Sequence, residues 1–241
     1  MKTQSRDIIY VGIQLSVVPP PDIAPDKTVL IQQAFLTEGL TYQHVHHASS
    51  RIAVIRDEPS PFQLVVGHMD SPLGQVSIEA PLQRTGLALF VKEAEAALRA
   101  FGHVWRPELL QFVQVDATLR ELYETTREHA FQEVWETVLG QPASRLQQFG
   151  QPIRGGGLRL VMDPIPRQDE PRQIEVRIES FLNDTRKLFI ETRMSWLPPL
   201  SAREDNRVRE RLESLDAYVQ THVTKFLESN HAAGTQDQSL R

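Results

Sequence analysis

Hydrophobic and polar positions alternate along residues 7–18, with Ile9, Val11, Ile13, Leu15 and Val17 on one side, and this period of two predicts a long strand. Pro19-Pro20-Pro21 ends it, because proline cannot donate to a ladder. Asp26 is placed to cap a short helix carrying Leu30, Ile31, Ala34 and Phe35, which Gly39 closes. Strands are then expected near 40–47, 51–57, 62–69 and 75–80, punctuated by Pro59, Pro61 and the turn Asp70-Ser71-Pro72-Leu73-Gly74. From 86 to 101 the period lengthens to that of a helix. Leu87, Phe90, Val91, Ala94, Leu98 and Phe101 form its apolar stripe, and Gly102 stands where a C-terminal cap belongs.

The second half repeats this order. Residues 109–115 predict a strand, and Asp116 is placed to cap a helix running to about 139, with Leu119, Leu122, Tyr123, Phe131, Val134 and Val138 inward and Gly140 beyond its end. Strands follow near 145–150, 157–163, 172–182 and 187–196. Ser201 and Glu204 form a capping box for a last helix bearing Val208, Leu212, Leu215, Val219 and Phe226. The expected organisation is a flexible N-terminus at 1–6, one β-α-β-α half at 7–102, a second at 109–228, and a disordered tail at 229–241.

Strands in runs with helices between the runs indicate an α+β fold, an antiparallel sheet with helices packed on one face. An internal duplication is the simplest account of two halves with one order of elements. The order β-α-β4-α, taken twice, is similar to the duplicated saddle of the TATA-box-binding-protein fold. That is an analogy of fold, which carries no function, and no residue motif of that family is present.

Composition narrows the chemistry. The 241 residues include no cysteine, which removes disulfides, thiolate metal sites and a cysteine nucleophile. A net charge of −5 argues against nucleic acid, whose binding domains are basic. Lysine occurs only at positions 2, 27, 92, 187 and 225, so arginine carries nearly all the positive charge, but the arginines are spread along the chain and lie near acidic residues. The polar start and the lack of a long apolar run predict a cytoplasmic protein without a membrane segment.

Candidate reactive groups are few. His44 and His46 share one face of a strand at 40–47, and two imidazoles at that spacing can ligate one metal ion, with His68 or Asp70 as a further ligand from a neighbouring strand. The alternative is a solvated strand edge. Arg154-Gly155-Gly156-Gly157 leads into a strand rather than a helix, so it lacks the helix N-terminus of a phosphate cradle. No nucleophile motif is present, and no cofactor is expected. His222 falls in register with the apolar stripe of the last helix, as a buried histidine would.

The segments 172–182 and 187–196 predict a hairpin with one apolar face and one charged face of mixed sign. Matching opposite charges sets Arg177 across from Glu191 and Glu175 across from Arg193, with Asn183-Asp184-Thr185 as the loop. The expected function is non-enzymatic binding of a protein partner or a second copy, with Glu175, Arg177, Glu191, Arg193, Trp196 and also Trp135 as candidate contacts. The alternative is a metal-dependent or small-molecule-binding enzyme using His44, His46 and His68.

Overall fold

A computed structural model describes residues 2–68, 72–81, 86–106, 109–165, 171–197 and 207–228, with side chains from Ser5 onward. The described residues form an α+β protein built on one antiparallel sheet of nine strands, in the order β2-β3-β4-β5-β1-β6-β9-β8-β7. The first half contributes β1 (Lys2–Val18), α1 (Pro25–Thr37), β2 (His44–Ala48), β3 (Arg51–Arg56), β4 (Phe62–His68), β5 (Gly74–Pro81) and α2 (Leu87–Trp105). The second contributes β6 (Gln111–Glu124), α3 (Ala130–Gln132), β7 (Gly157–Met162), β8 (Arg172–Ser180), β9 (Lys187–Trp196), α4 (Val208–Tyr218) and α5 (Thr224–Glu228). The helices pack on one face, α1 against α2 and α2 against α4. Alternate residues of the strands point into that layer, among them Val11, Ile13, Leu15, Leu64, Ile78, Ala117, Leu119, Ile178 and Ile190, all buried.

Several expectations need correction. Lys2–Arg6 belong to β1 rather than to a flexible terminus, and Arg6 holds them down by donating to Glu121 on β6 and Asp216 on α4. A bulge between Ile8 and Tyr10 changes the phase of the strand, so Ile8 packs on the core where Ile9 was expected. Asp116 caps no helix: residues 111–124 form one long strand bonded to β1 on one side and β9 on the other. Val115, Ala117, Leu119, Glu121 and Tyr123 fall at a period of two on the buried side, and neighbours on both edges override the helical spacing of Leu119, Leu122 and Tyr123. The helix that remains is α3 and a wide turn at Glu133–Val138. Residues Ala143–Phe149 form a 3₁₀ turn with no buried side chain rather than a strand. The β-α-β4-α order therefore holds for the first half, while the second has a run of three strands.

The helices also differ in their ends. Ala24 precedes α1, Pro25 occupies its first turn, and Asp26 lies inside it. α2 continues past Gly102 to Trp105, with Arg106 left-handed at φ 48°. Trp105 explains the extension: it stacks on Phe101 at 5.1 Å and donates its indole N–H to the Asp22 carbonyl at 2.7 Å. Between α4 and α5 a wide turn at Val219–Val223 rotates the stripe, so Val223 and Leu227 are buried while His222 and Phe226 face outward. The buried histidine is thus overturned. Ser201, Glu204 and the 229–241 tail lie outside the described residues.

The hairpin register is the one that charge matching selects: Glu175 faces Arg193, Arg177 faces Glu191 and Ile178 faces Ile190. Its connection is longer than three residues. Phe181 and Lys187 still bond across it, and two successive turns close it through Asp184.

Glu121, fully buried, gives the fold a pH signature. Burial raises its carboxyl above the ordinary value, against the opposing pull of the Arg6 guanidinium. The folded chain then keeps a proton over a range where the unfolded chain has lost it, so this group lowers stability as pH climbs from the ordinary 4.5 through the folded value. Urea unfolding across that range is expected to show a decline for the wild type that Glu121→Gln lacks; parallel curves would contradict it.

Candidate functional site

The face of the sheet opposite the helices is predominantly polar across its central strands β5, β1, β6, β9 and β8. β1 presents Tyr10, Gly12, Gln14 and Ser16 there, and β6 presents Asp116, Thr118 and Arg120 beside them, with Tyr10 opposite Arg120 and Gln14 opposite Asp116. β9 adds Arg193 and Glu191, β8 adds Glu175, Arg177 and Glu179, and β7 adds Arg159. The alternation that buries Val11 and Ile13 on one side obliges these residues to share the other.

At the middle, across β5, β1, β6 and β9, lies a recess of about 190 Å³ lined by Tyr10, Gln14, Glu79, Asp116, Arg120 and Arg193. The Arg120 guanidinium sits 4.4 Å from the centre of the Tyr10 ring. Burial, with help from the Glu79 carboxylate, raises the Tyr10 hydroxyl well above the ordinary tyrosine range, so it stays protonated. Gly12 makes room for this ring: a Cβ there would stand 2.6 Å from the Tyr10 hydroxyl. Asp116 is 4% exposed and anchors the floor. It accepts from Gln114 at 3.0 and 2.9 Å and from the Ser195 hydroxyl, and it pairs with Arg193 at 2.9 Å.

Outward from the recess the charges pair in two groups. Glu191 takes Arg120 at 2.5 Å and Arg177 at 3.3 Å; Arg177 also reaches Glu179 at 3.3 Å. Glu175 holds Arg159 through two bonds of 2.7 and 3.0 Å, and this hydrogen-bonded guanidinium keeps its carboxyl below the ordinary value. Glu175, Arg177, Glu191 and Arg193 are therefore together on the open face. Trp196 is not: it is 3% exposed on the helix side, with Arg211 over its ring at 4.8 Å, and is removed as a contact. Trp135 is half-buried and donates to the Pro142 carbonyl at 3.2 Å.

The histidine cluster does not form. β2 starts at His44, leaving Leu40 and Tyr42 outside the strand. His44 and His46 lie on the open face with their rings 6.1 Å apart, both exposed. His68 follows Phe62, Leu64 and Val66 on the helix face, where its Nε2 lies 2.9 Å from the Pro21 carbonyl. Opposite faces of a sheet cannot supply one metal ion. Asp70 lies outside the described residues, and among the described residues no group of three or more histidine or acidic side chains is placed to hold a metal.

Nor does the glycine run cradle an anion. The Gly156 N–H donates to the Ser180 hydroxyl at 3.1 Å, and its carbonyl accepts from the Ser180 N–H at 3.0 Å, so this backbone belongs to the sheet edge. A Cβ at Gly157 would stand 2.2 Å from the Ile178 carbonyl, a closeness only glycine allows. Two larger recesses, about 500 and 470 Å³, flank this end of the sheet. In the first, His129 is engaged at both nitrogens: Nδ1 accepts from the Phe131 N–H at 3.0 Å and Nε2 donates to the Arg154 carbonyl at 2.9 Å.

Sequence reasoning missed Tyr10, Glu79, Asp116 and Arg120. Their signal was the polar half of each alternating strand, hidden at Asp116 by its likeness to a helix cap.

No protein-family model matches the chain, and no curated protein matches it. Among solved structures it is similar to the di-domain ARO/CYC StfQ from the steffimycin biosynthetic pathway, at 11% identity over 91% of this chain and 95% of that one. The TM-score is 0.20, too low for that likeness to inform fold or activity. No helix of the described residues is long and apolar enough to cross a membrane.

Asp116→Ala is expected to cost about 2 kcal/mol, since it strips a buried charged acceptor from Gln114, Ser195 and Arg193. Arg177→Ala, whose pairs are open to solvent, should cost less than about 1 kcal/mol. Chemical denaturation of both variants checks the order; equal losses would refute it.

Proposed function

We propose that this chain is a cytoplasmic, non-enzymatic binding module that docks a protein partner on the open face of its sheet. One observation carries the reading: Arg120, Arg159, Arg177 and Arg193 on β6–β9 each pair with a carboxylate of that face. A nucleic-acid reader needs positive charge left over for phosphates. A surface of alternating, mutually compensated charge instead suits a partner with its own alternating charges, which selects register and rejects mismatches. Tyr10, at the centre, is the aromatic anchor of the proposed surface.

The duplication belongs to the same proposal. β1 and β6 lie side by side, and each is flanked on its outer side by the last strand of its own half, β5 or β9. This supports reading 7–102 and 109–228 as two copies of one unit that now differ by a strand, and a broad continuous face is what such a fusion provides.

Glu191→Lys tests the proposal, because it breaks the ties to both Arg120 and Arg177 while leaving the core untouched. A partner isolated from the native host with the wild-type protein is expected to bind the variant at least tenfold more weakly, with far-UV circular dichroism unchanged. Equal binding, or robust turnover in a broad substrate screen, would overturn it.

A further inference from the structure

The sheet ends on two strands of unlike character. β2 carries His44, His46 and His47, and its side chains are exposed at every position but Val45, a polar rim of the kind that discourages edge pairing. β7 at the other end pairs only with β8 among the described residues. It presents Leu160 at 36% and Val161 at 52% exposure, with Arg159 as its one charge.

We propose that β7 is a self-pairing edge through which two copies of this chain join their sheets, antiparallel, about a two-fold axis at Val161. The backbone is in phase for it. The bond from the Ser180 N–H to the Gly156 carbonyl turns residue 156 toward β8. By the alternation of an antiparallel strand, 158, 160 and 162 turn the same way, while the N–H and C=O groups of 157, 159 and 161 point outward.

Register follows from face and charge. Leu158, Leu160 and Met162 pair with Ile178, Val176 and Ile174 and so share the helix face. Keeping both helix layers on one side of the joined sheet requires paired residue numbers to sum to an even value. A sum of 318 sets Arg159 against the partner's Arg159, a repulsive contact; 320 sets it against the partner's Val161, where it keeps its own Glu175 pair and gains no charged contact across the seam. A sum of 322 sets Arg159 against the partner's Asp163, Val161 against the partner's Val161, and Leu160 against the partner's Met162. Asp163 is exposed directly after the strand end, and Arg159 and Asp163 stand two residues to either side of Val161. One two-fold axis therefore forms the ion pair twice. Such self-complementarity is what a contact between identical copies requires, and it selects a second copy over an unrelated strand.

The cysteine-free chain allows a direct reading of register. Sedimentation of the wild type is expected to show a concentration-dependent rise toward twice the 27.5 kDa chain mass. Val161→Cys, whose thiol meets its own copy across the axis, is expected to give a disulfide-linked dimer under mild oxidation, since opposed Cα atoms in a ladder lie within disulfide reach. Leu160→Cys opposes the partner's Met162 and should cross-link far more slowly. Asp163→Arg should weaken the dimer at least tenfold with the fold intact by circular dichroism. A wild type that stays monomeric up to its solubility limit overturns the proposal, as does a dimer in which Leu160→Cys cross-links in preference to Val161→Cys. The open-face reading is tested separately, because Glu191→Lys is expected to leave this dimer unchanged.

Discussion

The pairing of β1 with β6 is the contact on which the rest of the molecule depends. β1 is 17 residues long and bonds to β6 along nearly its whole length, with β5 on its other side and β9 beyond β6. Among the described residues these two strands are the only direct ladder between the two halves, so the strands outward on either side inherit their phase from them. A slip of one residue at this seam would turn Val11, Ile13, Leu15, Ala117 and Leu119 out of the core and drive Tyr10, Gln14, Asp116 and Arg120 into it. The apolar side resists such a slip by the cost of exposing buried side chains, and the polar side by the cost of burying charge.

Buried polar contacts refine this arrangement. Arg6 ties the first strand to β6 and to the last helix through Glu121 and Asp216. On the other side of the core, Arg56 at the end of β3 is 6% exposed, yet it donates to Ser60 and pairs with Glu93 of α2 at 2.8 Å. Each is a charge placed where helix and sheet meet. Removing one partner of such a pair leaves the other stranded, which commonly costs about 3–5 kcal/mol, so these contacts specify how the helices seat more than they add to stability.

The open face has the opposite economy. Apart from the buried Asp116, its charges stand partly or largely in solvent, and those exposed pairs contribute little to the fold. Their arrangement in separate pairs and short groups between Asp116 and Arg159 neutralises the face locally while keeping it hydrated. A surface of that kind can exchange internal pairs for external ones, which is what the proposed docking of a partner would require of the alternation in these strands.

The sequence by itself determined what depends on neighbours a few residues away. The α+β class, the alternation of β1, the hairpin of β8 and β9 and its register were legible because apolar period and cross-strand charge are local signals. Tertiary structure decided what depends on distant contacts. Residues 111–124 form a strand because β1 and β9 hold both its edges, and nothing within the segment announces them. His222 and Phe226 face outward because a wide turn at Val219–Val223 shifts the helical phase by part of a turn. His44 and His46 part from His68 because their strands present opposite faces, a relation that only the pairing across β3 establishes. The central recess was hidden for the same reason: Tyr10, Glu79, Asp116 and Arg120 come from three separate strands, and only the order β5-β1-β6 brings them side by side.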